Sequence, residues 1–240
     1  WLAAFLDHPE LGTYLLGEET IETRDEEYLT EALCQSAWIV DPVDGTAPFV
    51  NGLPQWGVSL GFARNGILQE GGVYLPALEQ IFVTRSGNVF EGTVESPDEA
   101  VAGSIDLARF DGRHQSFSQG GMIAISQRLA REGRVPFPNP VQAIGCALTA
   151  FVDLMRGHYM AFLADMKLWD VAACFPMLEA MGFAGRFPDG RPFGSRVSAG
   201  NFVMTGPPEK RCALRETCLF APAEYVDRMW MEWSVSGLFG

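Results

Sequence analysis

The residues best suited to chemistry are carboxylates at three separate places in the chain: Glu18-Glu19, Asp41 with Asp44, and Asp170. The run Asp41-Pro42-Val43-Asp44-Gly45-Thr46 is an unusual ending for a strand. Pro42 holds Asp41 extended, and its fixed φ limits how far the two carboxylates splay. Asp41 and Asp44 are then expected to share one turn, with the carbonyl of Val43 between them. Two carboxylates and a carbonyl form an all-oxygen cradle suited to a hard cation such as Mg²⁺. Gly45 permits the tight turn, and Thr46 is expected to open a short helix from Ala47, with Pro48 tolerated in its first turn. The backbone N–H groups there would face an anion beside the cation. Taken alone, each element also has a plainer reading. D-x-x-D-G-T is equally a βα turn with a capping Asp, Asp170 before Val-Ala-Ala is a helix N-cap, and Glu18-Glu19 is a surface pair.

Several elements must position these groups. Trp1, Leu2, Phe5 and Leu6 read as the end of an amphipathic helix, and with no initiator Met the chain is expected to be a fragment. Ala37-Trp38-Ile39-Val40 reads as a buried strand delivering Asp41. From Gly57 to Phe90, short β-type runs (Val58 to Phe62, Gly72 to Leu75, Ile81 to Thr84) alternate with turn signals such as Arg64-Asn65-Gly66, which predicts an antiparallel meander. Helices are expected over Ile123 to Arg131 and Cys146 to Arg156, and a strand over His158 to Leu163. A further helix is expected from Trp169 to Met181, opened by Asp170, with Pro176 marking a kink or an early end. Segments 97–120 and 184–215, rich in Gly, Pro and charge, read as mostly irregular. The class is mixed α and β in layers, without a linker that would divide residues 1–240.

The string Trp38-Ile39-Val40-Asp41-Pro42-Val43-Asp44-Gly45-Thr46, followed by Phe49 and by Gly57-Val58-Ser59-Leu60-Gly61-Phe62, closely resembles the first signature of the inositol monophosphatase family. Leu168-Trp169-Asp170-Val171-Ala172-Ala173, then Glu179-Ala180, resembles the second. Leu16-Gly17-Glu18-Glu19-Thr20 resembles the upstream Gly-Glu-Glu element, and Gly145-Cys146-Ala147 stands where the family has its substrate loop. The resemblance covers roughly residues 1–183. It implies a layered α-β-α-β-α sugar-phosphatase fold (here without the N-terminal helix), often as a homodimer. It implies a Mg²⁺-dependent phosphomonoesterase acting on a small phosphorylated polyol, sugar or related metabolite through a water activated by two or three ions. Glu18, Asp41 and the Val43 carbonyl would bind one ion, and Asp41, Asp44 and Asp170 a second; a third would sit near Glu18, with Glu19 in support. Thr46, aided by Glu18, would orient the attacking water. The N–H groups of Gly45 and Thr46 would hold the phosphate, and Asp44 would help protonate the leaving alkoxide.

The departures bear on substrate. Met181-Gly182 follows Glu179-Ala180 where the family usually has Gly-Gly, and Cys146 replaces the hydroxyl residue of the substrate loop. Leu163 occupies the position at which the animal enzymes carry an acidic residue that contacts inositol. Gly145, Cys146, Ala147 and Leu163 are therefore the expected substrate contacts, and substrates other than inositol phosphates stay open. Among these are 3′-phosphoadenosine 5′-phosphate, fructose 1,6-bisphosphate and histidinol phosphate. Cys146 also reads simply as a small buried residue at a helix start, with no His nearby to make it a nucleophile. A non-catalytic relative that binds ligand or partner is the alternative from another class; the presence of every matched acidic residue and Thr46 weighs against it.

Composition bounds the rest. With 17 Lys and Arg against 30 Asp and Glu, the 240 residues carry a net charge of −13. Such a surface disfavours nucleic-acid polymers and anionic membranes. Bound cations would let it handle phosphate all the same. Five scattered cysteines without a C-x-x-C pair predict reduced thiols and a cytoplasmic location rather than disulfides or a zinc site. No stretch reaches the ~20 apolar residues of a membrane span. No Walker or G-x-G-x-x-G sequence points to a nucleotide-binding module.

Overall fold

Buried positions alternate with half-buried or exposed ones along residues 57–75, except at Arg64-Asn65 and Gln69-Glu70, and produce the central hairpin of a seven-stranded sheet. The computed structural model describes residues 3–95, 105–132, 135 and 137–235. The strands of this first sheet are β1 (Thr13–Gly17), β2 (Ser36–Asp44), β3 (Gly57–Arg64), β4 (Ile67–Leu75), β5 (Gln80–Arg85), β6 (Asn88–Thr93) and β7 (Ala108–Arg109). They lie side by side in chain order, β1 and β2 parallel and the others antiparallel. The expected meander is therefore present. Asn65 and Gly66, at φ 51° and 69°, form the two-residue turn between β3 and β4. The short α1 (Ala3–Leu6) precedes β1, and α2 (Glu26–Cys34) makes the crossover from β1 to β2, its N-terminus capped by the Asp25 carboxylate, which accepts the Tyr28 N–H at 2.8 Å. Asp25, Glu26 and Glu27 thus form an acidic helix start, which the helix dipole favours.

A second, six-stranded sheet has the order β12-β11-β13-β10-β8-β9. Its members are β8 (Ile123–Ile125), β9 (Val141–Gln142), β10 (Ala161–Ala164), β11 (Phe183–Arg186), β12 (Pro192–Phe193) and β13 (Cys218–Pro222). Two expectations change here. Ile123-Ala124-Ile125 is a strand running parallel to β10, and only Gln127–Glu132 is helical. Three apolar residues have no period, so the pairing available beside β10 decides their conformation. The segment after 184 contributes β12 and all but the first residue of β11 before becoming irregular; of residues 97–120, residues 97–104 lie outside the described residues.

Between the sheets lie α5 (Ala147–Met155), α6 (Leu168–Val171) and α7 (Cys174–Ala180), while α3 (Thr46–Val50) follows β2 and α4 (Gln127–Glu132) follows β8. The helix expected from Trp169 to Met181 is broken after Val171. Pro176 sits at the third position of α7, where its missing N–H has no intrahelical partner, and its ring would clash with the carbonyl four residues back, at Ala172. The close approach of this break to the first sheet depends on glycine: a Cβ on Gly71 would lie 2.1 Å from the Ala173 carbonyl oxygen. The larger core runs from Tyr14 and Ile39 on the first sheet through Phe151, Trp169 and Phe175 to Phe220 on the second. A smaller core lies around α8 (Val226–Val235), whose Val226, Met229 and Trp233 recur at helical spacing against Ile123, Leu163 and Leu219. Among the described residues no helix is long and apolar enough to cross a membrane.

Candidate metal centre and substrate cavity

Proline cannot donate to a ladder, and β2 meets this with an irregularity: its register against β3 shifts between Asp41 and Asp44, the stretch that holds Pro42. The bulge brings both carboxylates together, and α6 delivers Asp170 to the same point; the three side chains place oxygen atoms within 4.8 Å of one another. Asp41 is 1% exposed and Asp44 8%. Burial raises all three carboxyls above their ordinary value, and the charge of Asp44 raises Asp41 and Asp170 further. Asp44 is also held in the opposite sense. The Leu148 N–H donates to it at 2.7 Å and the Cys146 thiol at 3.0 Å, both from the start of α5, where the helix dipole favours negative charge. Three carboxylates this close and this dry keep their charge together only around a cation, and an all-oxygen donor set fits a hard one.

The surrounding loops fix this arrangement. Gly45, at φ 87°, caps α3 in the left-handed region, and a Cβ there would lie 2.7 Å from the Gln55 carbonyl oxygen and 2.9 Å from Cys146 Cβ. Thr46 is the first residue of α3, exposed, and its hydroxyl donates to the Val43 carbonyl at 3.2 Å; the Val43 N–H donates to Asp41 at 3.0 Å. Asp170 is not the N-cap residue. Lys167 holds that position, and Asp170, three residues inside, accepts the Lys167 N–H at 2.7 Å, bracing the turn from within. The Ser59 hydroxyl donates to the Trp169 carbonyl at 3.0 Å, tying α6 to β3. Cys146 is buried as the N-cap of α5, its thiol raised far above the ordinary range by burial and by Asp44. Glu18 and Glu19 are exposed at the end of β1, outside the buried triad. Partial desolvation, Glu19 and Asp44 hold Glu18 above its ordinary value, while Lys167 acts against them.

A cavity of about 160 Å³ opens beside the triad, reaching Asp44 and Asp170 and lined by Gly145, Cys146 and Ala147. Leu163 is a correction to the expected substrate contacts. It is 1% exposed inside the smaller core, paired with Ile125 and Leu219 in the middle of the second sheet, and does not line the cavity. Ser126, Gln127 and Asp165 do line it and were not among the expected residues. Their signal was position, since Ser126 and Asp165 each follow directly on an apolar strand, at the carboxyl ends where open sheets bind ligands.

Known proteins are similar to this chain in sequence and in fold. The profile of the inositol monophosphatase family matches residues 12–219, a span that includes every residue above from Glu18 to Asp170. The inositol-1-monophosphatase of Mesorhizobium japonicum is 28% identical over 184 residues, covering 71% of this chain and 65% of its own. The inositol monophosphatase of Mesembryanthemum crystallinum is 38% identical over 199 residues, covering 78% of this chain and 69% of its own. The chain spans between half and two thirds of the length of the first curated relatives it matches. A solved structure described as IMPase/NADP phosphatase complexed with Mg²⁺ and phosphate superposes with a TM-score of 0.66 at 15% identity, covering 98% of this chain and 77% of its own, which shows a shared fold. The chain belongs to the inositol monophosphatase family.

Proposed function

We propose that this chain, acting as one domain, is a Mg²⁺-dependent phosphomonoesterase for a small phosphorylated polyol, sugar or related metabolite. The observation that carries the reading is the buried Asp41–Asp44–Asp170 cluster opening on a cavity with helix starts around it. The Mg²⁺ and phosphate named for the solved structure of the same fold support it. Asp41, Asp44 and Asp170, with Glu18 and the Val43 carbonyl, would hold two or three ions. When bound, Mg²⁺ supplies the positive charge that phosphoryl transfer requires and activates water for attack.

The chain's own groups do the positioning. The Thr46 hydroxyl gives its proton to the Val43 carbonyl, which leaves its oxygen lone pairs to accept a proton of the attacking water. Glu18, at the exposed strand end, is the carboxylate assigned to assist it, with Glu19 in support. The Gly45 and Thr46 N–H groups at the start of α3 hold phosphoryl oxygens. Asp44, fixed by Leu148 and Cys146, would help protonate the departing alkoxide by relaying a proton from a water molecule. Gly145, Cys146 and Ala147 border the leaving group. Reduced cytoplasmic thiols and a homodimer remain part of the reading. The alternative is a non-catalytic relative that binds ligand or partner; the complete acidic set favours catalysis.

The test is inorganic phosphate release from a panel of polyol, sugar, nucleotide and amino-alcohol phosphates, with Mg²⁺ and with chelator. Release is expected with Mg²⁺ only. Asp44→Asn is expected to lose at least the roughly 100-fold that removing a supporting group at a metal site costs. Release that is unaffected by chelator would overturn the reading.

A further inference from the structure

The end of α5 carries a histidine back beside an aspartate. Gly157, at φ 74°, turns the chain into the left-handed region. The N–H groups of His158 and Gly157 then donate to the carbonyls of Asp153 and Leu154 at 2.9 and 3.0 Å, closing a Schellman cap. The same turn sets Nδ1 of the His158 ring 2.9 Å from Oδ1 of Asp153. An ionised carboxylate only accepts, so Nδ1 carries the hydrogen. Oδ2 of Asp153 has no donor among the described residues, on a side chain 24% exposed.

Asp153 and His158 border a cavity of about 400 Å³, larger than the one beside the acidic triad and sharing only Ile144 with it. Much of its lining is apolar, with Pro54, Leu78, Met122 and Ile144, and no lysine or arginine reaches it. Leu78 and Met122 are exposed there, unlike most large apolar side chains of this chain. Its other polar groups are already engaged. The Tyr159 hydroxyl donates to Gln142 Oε1 at 2.9 Å, and the Thr149 hydroxyl lies 3.1 Å from the Cys146 thiol. Burial pushes the Tyr159 phenol up to about 12, with the charge of Asp153 adding to it, so it stays a donor to Gln142. One unfilled carboxylate oxygen beside an apolar wall repels anions, the phosphate ester included, and suits an ammonium group on an apolar body.

We propose that this cavity is a second ligand site, separate from the substrate cavity, and that it takes a small organic amine. The ammonium donates to Oδ2 of Asp153, and the apolar body lies against Leu78, Met122 and Ile144.

The experiment titrates tryptamine into the protein by calorimetry in an amine-free buffer at pH 8. Tryptophol and indole-3-propionate, which keep the ring and replace the ammonium by a hydroxyl or a carboxylate, serve as controls. Tryptamine is expected to bind saturably and roughly 10- to 100-fold more tightly than either control. In Asp153→Asn the amide oxygen keeps the His158 bond while an NH₂ group replaces Oδ2, and the preference for tryptamine over tryptophol is expected to vanish. Leu78→Arg, which places a cation at the exposed rim, is expected to weaken tryptamine more than tryptophol. Asp165→Asn, in the substrate cavity, where the carboxylate holds Arg128 and Thr217, is expected to leave tryptamine binding unchanged. Melting temperatures report whether each variant stays folded. No saturable binding of tryptamine, equal binding of all three compounds, or a preference that survives in a folded D153N would overturn the proposal. A loss in D165N would place the amine in the substrate cavity and overturn it too. None of these readouts involves phosphate release, so the proposal and the phosphatase reading fail separately.

Discussion

Cys146 shows what a single residue contributes here. Its thiol donates to Asp44 and accepts the Thr149 N–H at 3.4 Å, so it both fixes a site carboxylate and caps α5. Serine preserves both roles, and Cys146→Ser is expected to stay close to wild type in urea unfolding. Cys146→Ala loses the cap and leaves Asp44 short of a donor, a loss of about 0.5–2 kcal/mol. A serine variant as unstable as the alanine variant would contradict these roles. Reactivity follows from the same burial: Cys34 is exposed, whereas Cys146, Cys174, Cys212 and Cys218 are buried and raised above the ordinary thiol range. A thiol reagent is expected to label one cysteine rapidly in the native protein and all five after unfolding. At this scale the sequence was legible where partners are close along the chain. Asp41 and Asp44 advertise each other across three positions. Asp165 does not, because Arg128 and Thr217 lie 37 and 52 residues away.

Elements carry the acidic groups to one point, and their junctions leave little room. Gly71 on β4 meets the Ala173 carbonyl at a distance where no side chain fits, and Ala173 lies only three residues from Asp170. Gly71→Ala must push the start of α7 away from the sheet, which is expected to cost about 1–3 kcal/mol and to lower activity as Asp170 moves. Urea unfolding and phosphate release check the two parts separately. Pro176→Ala, at a helix position that needs no N–H, is expected to change stability by under ~1 kcal/mol. The meander was readable from alternation and turn signals, and α5 from its apolar run after Cys146. The strand at Ile123–Ile125 and the division between α6 and α7 were not, because neighbours settle them: β10 offers a parallel edge to the first, and the sheet presses its glycines against the second.

At the scale of the whole molecule, a chain of net charge −13 concentrates three of its carboxylates in one buried cluster. Burial and the charge of Asp44 push Asp41 from 3.8 to about 7. A carboxyl raised on folding opposes folding once the unfolded chain ionises. Metal-free protein is therefore expected to lose stability as pH rises from about 4 to about 7, with no further loss from this group above that. Added Mg²⁺ is expected to raise the melting temperature at pH 8, where the cluster is ionised, and little at pH 5. Thermal melts across pH with chelator and with Mg²⁺ check both statements, and a Mg²⁺ effect that is the same at pH 5 and pH 8 would contradict the sign. The most direct test of the acidic cluster as a cation centre is calorimetric titration of Mg²⁺ into chelator-treated protein at pH 8, beside Asp41→Asn and Asp170→Asn. Saturable binding in the wild type, weakened at least 10-fold in each variant, is the predicted result. Binding that the variants leave unchanged, or none in a folded wild type, would contradict the assignment of Asp41, Asp44 and Asp170 as the metal centre.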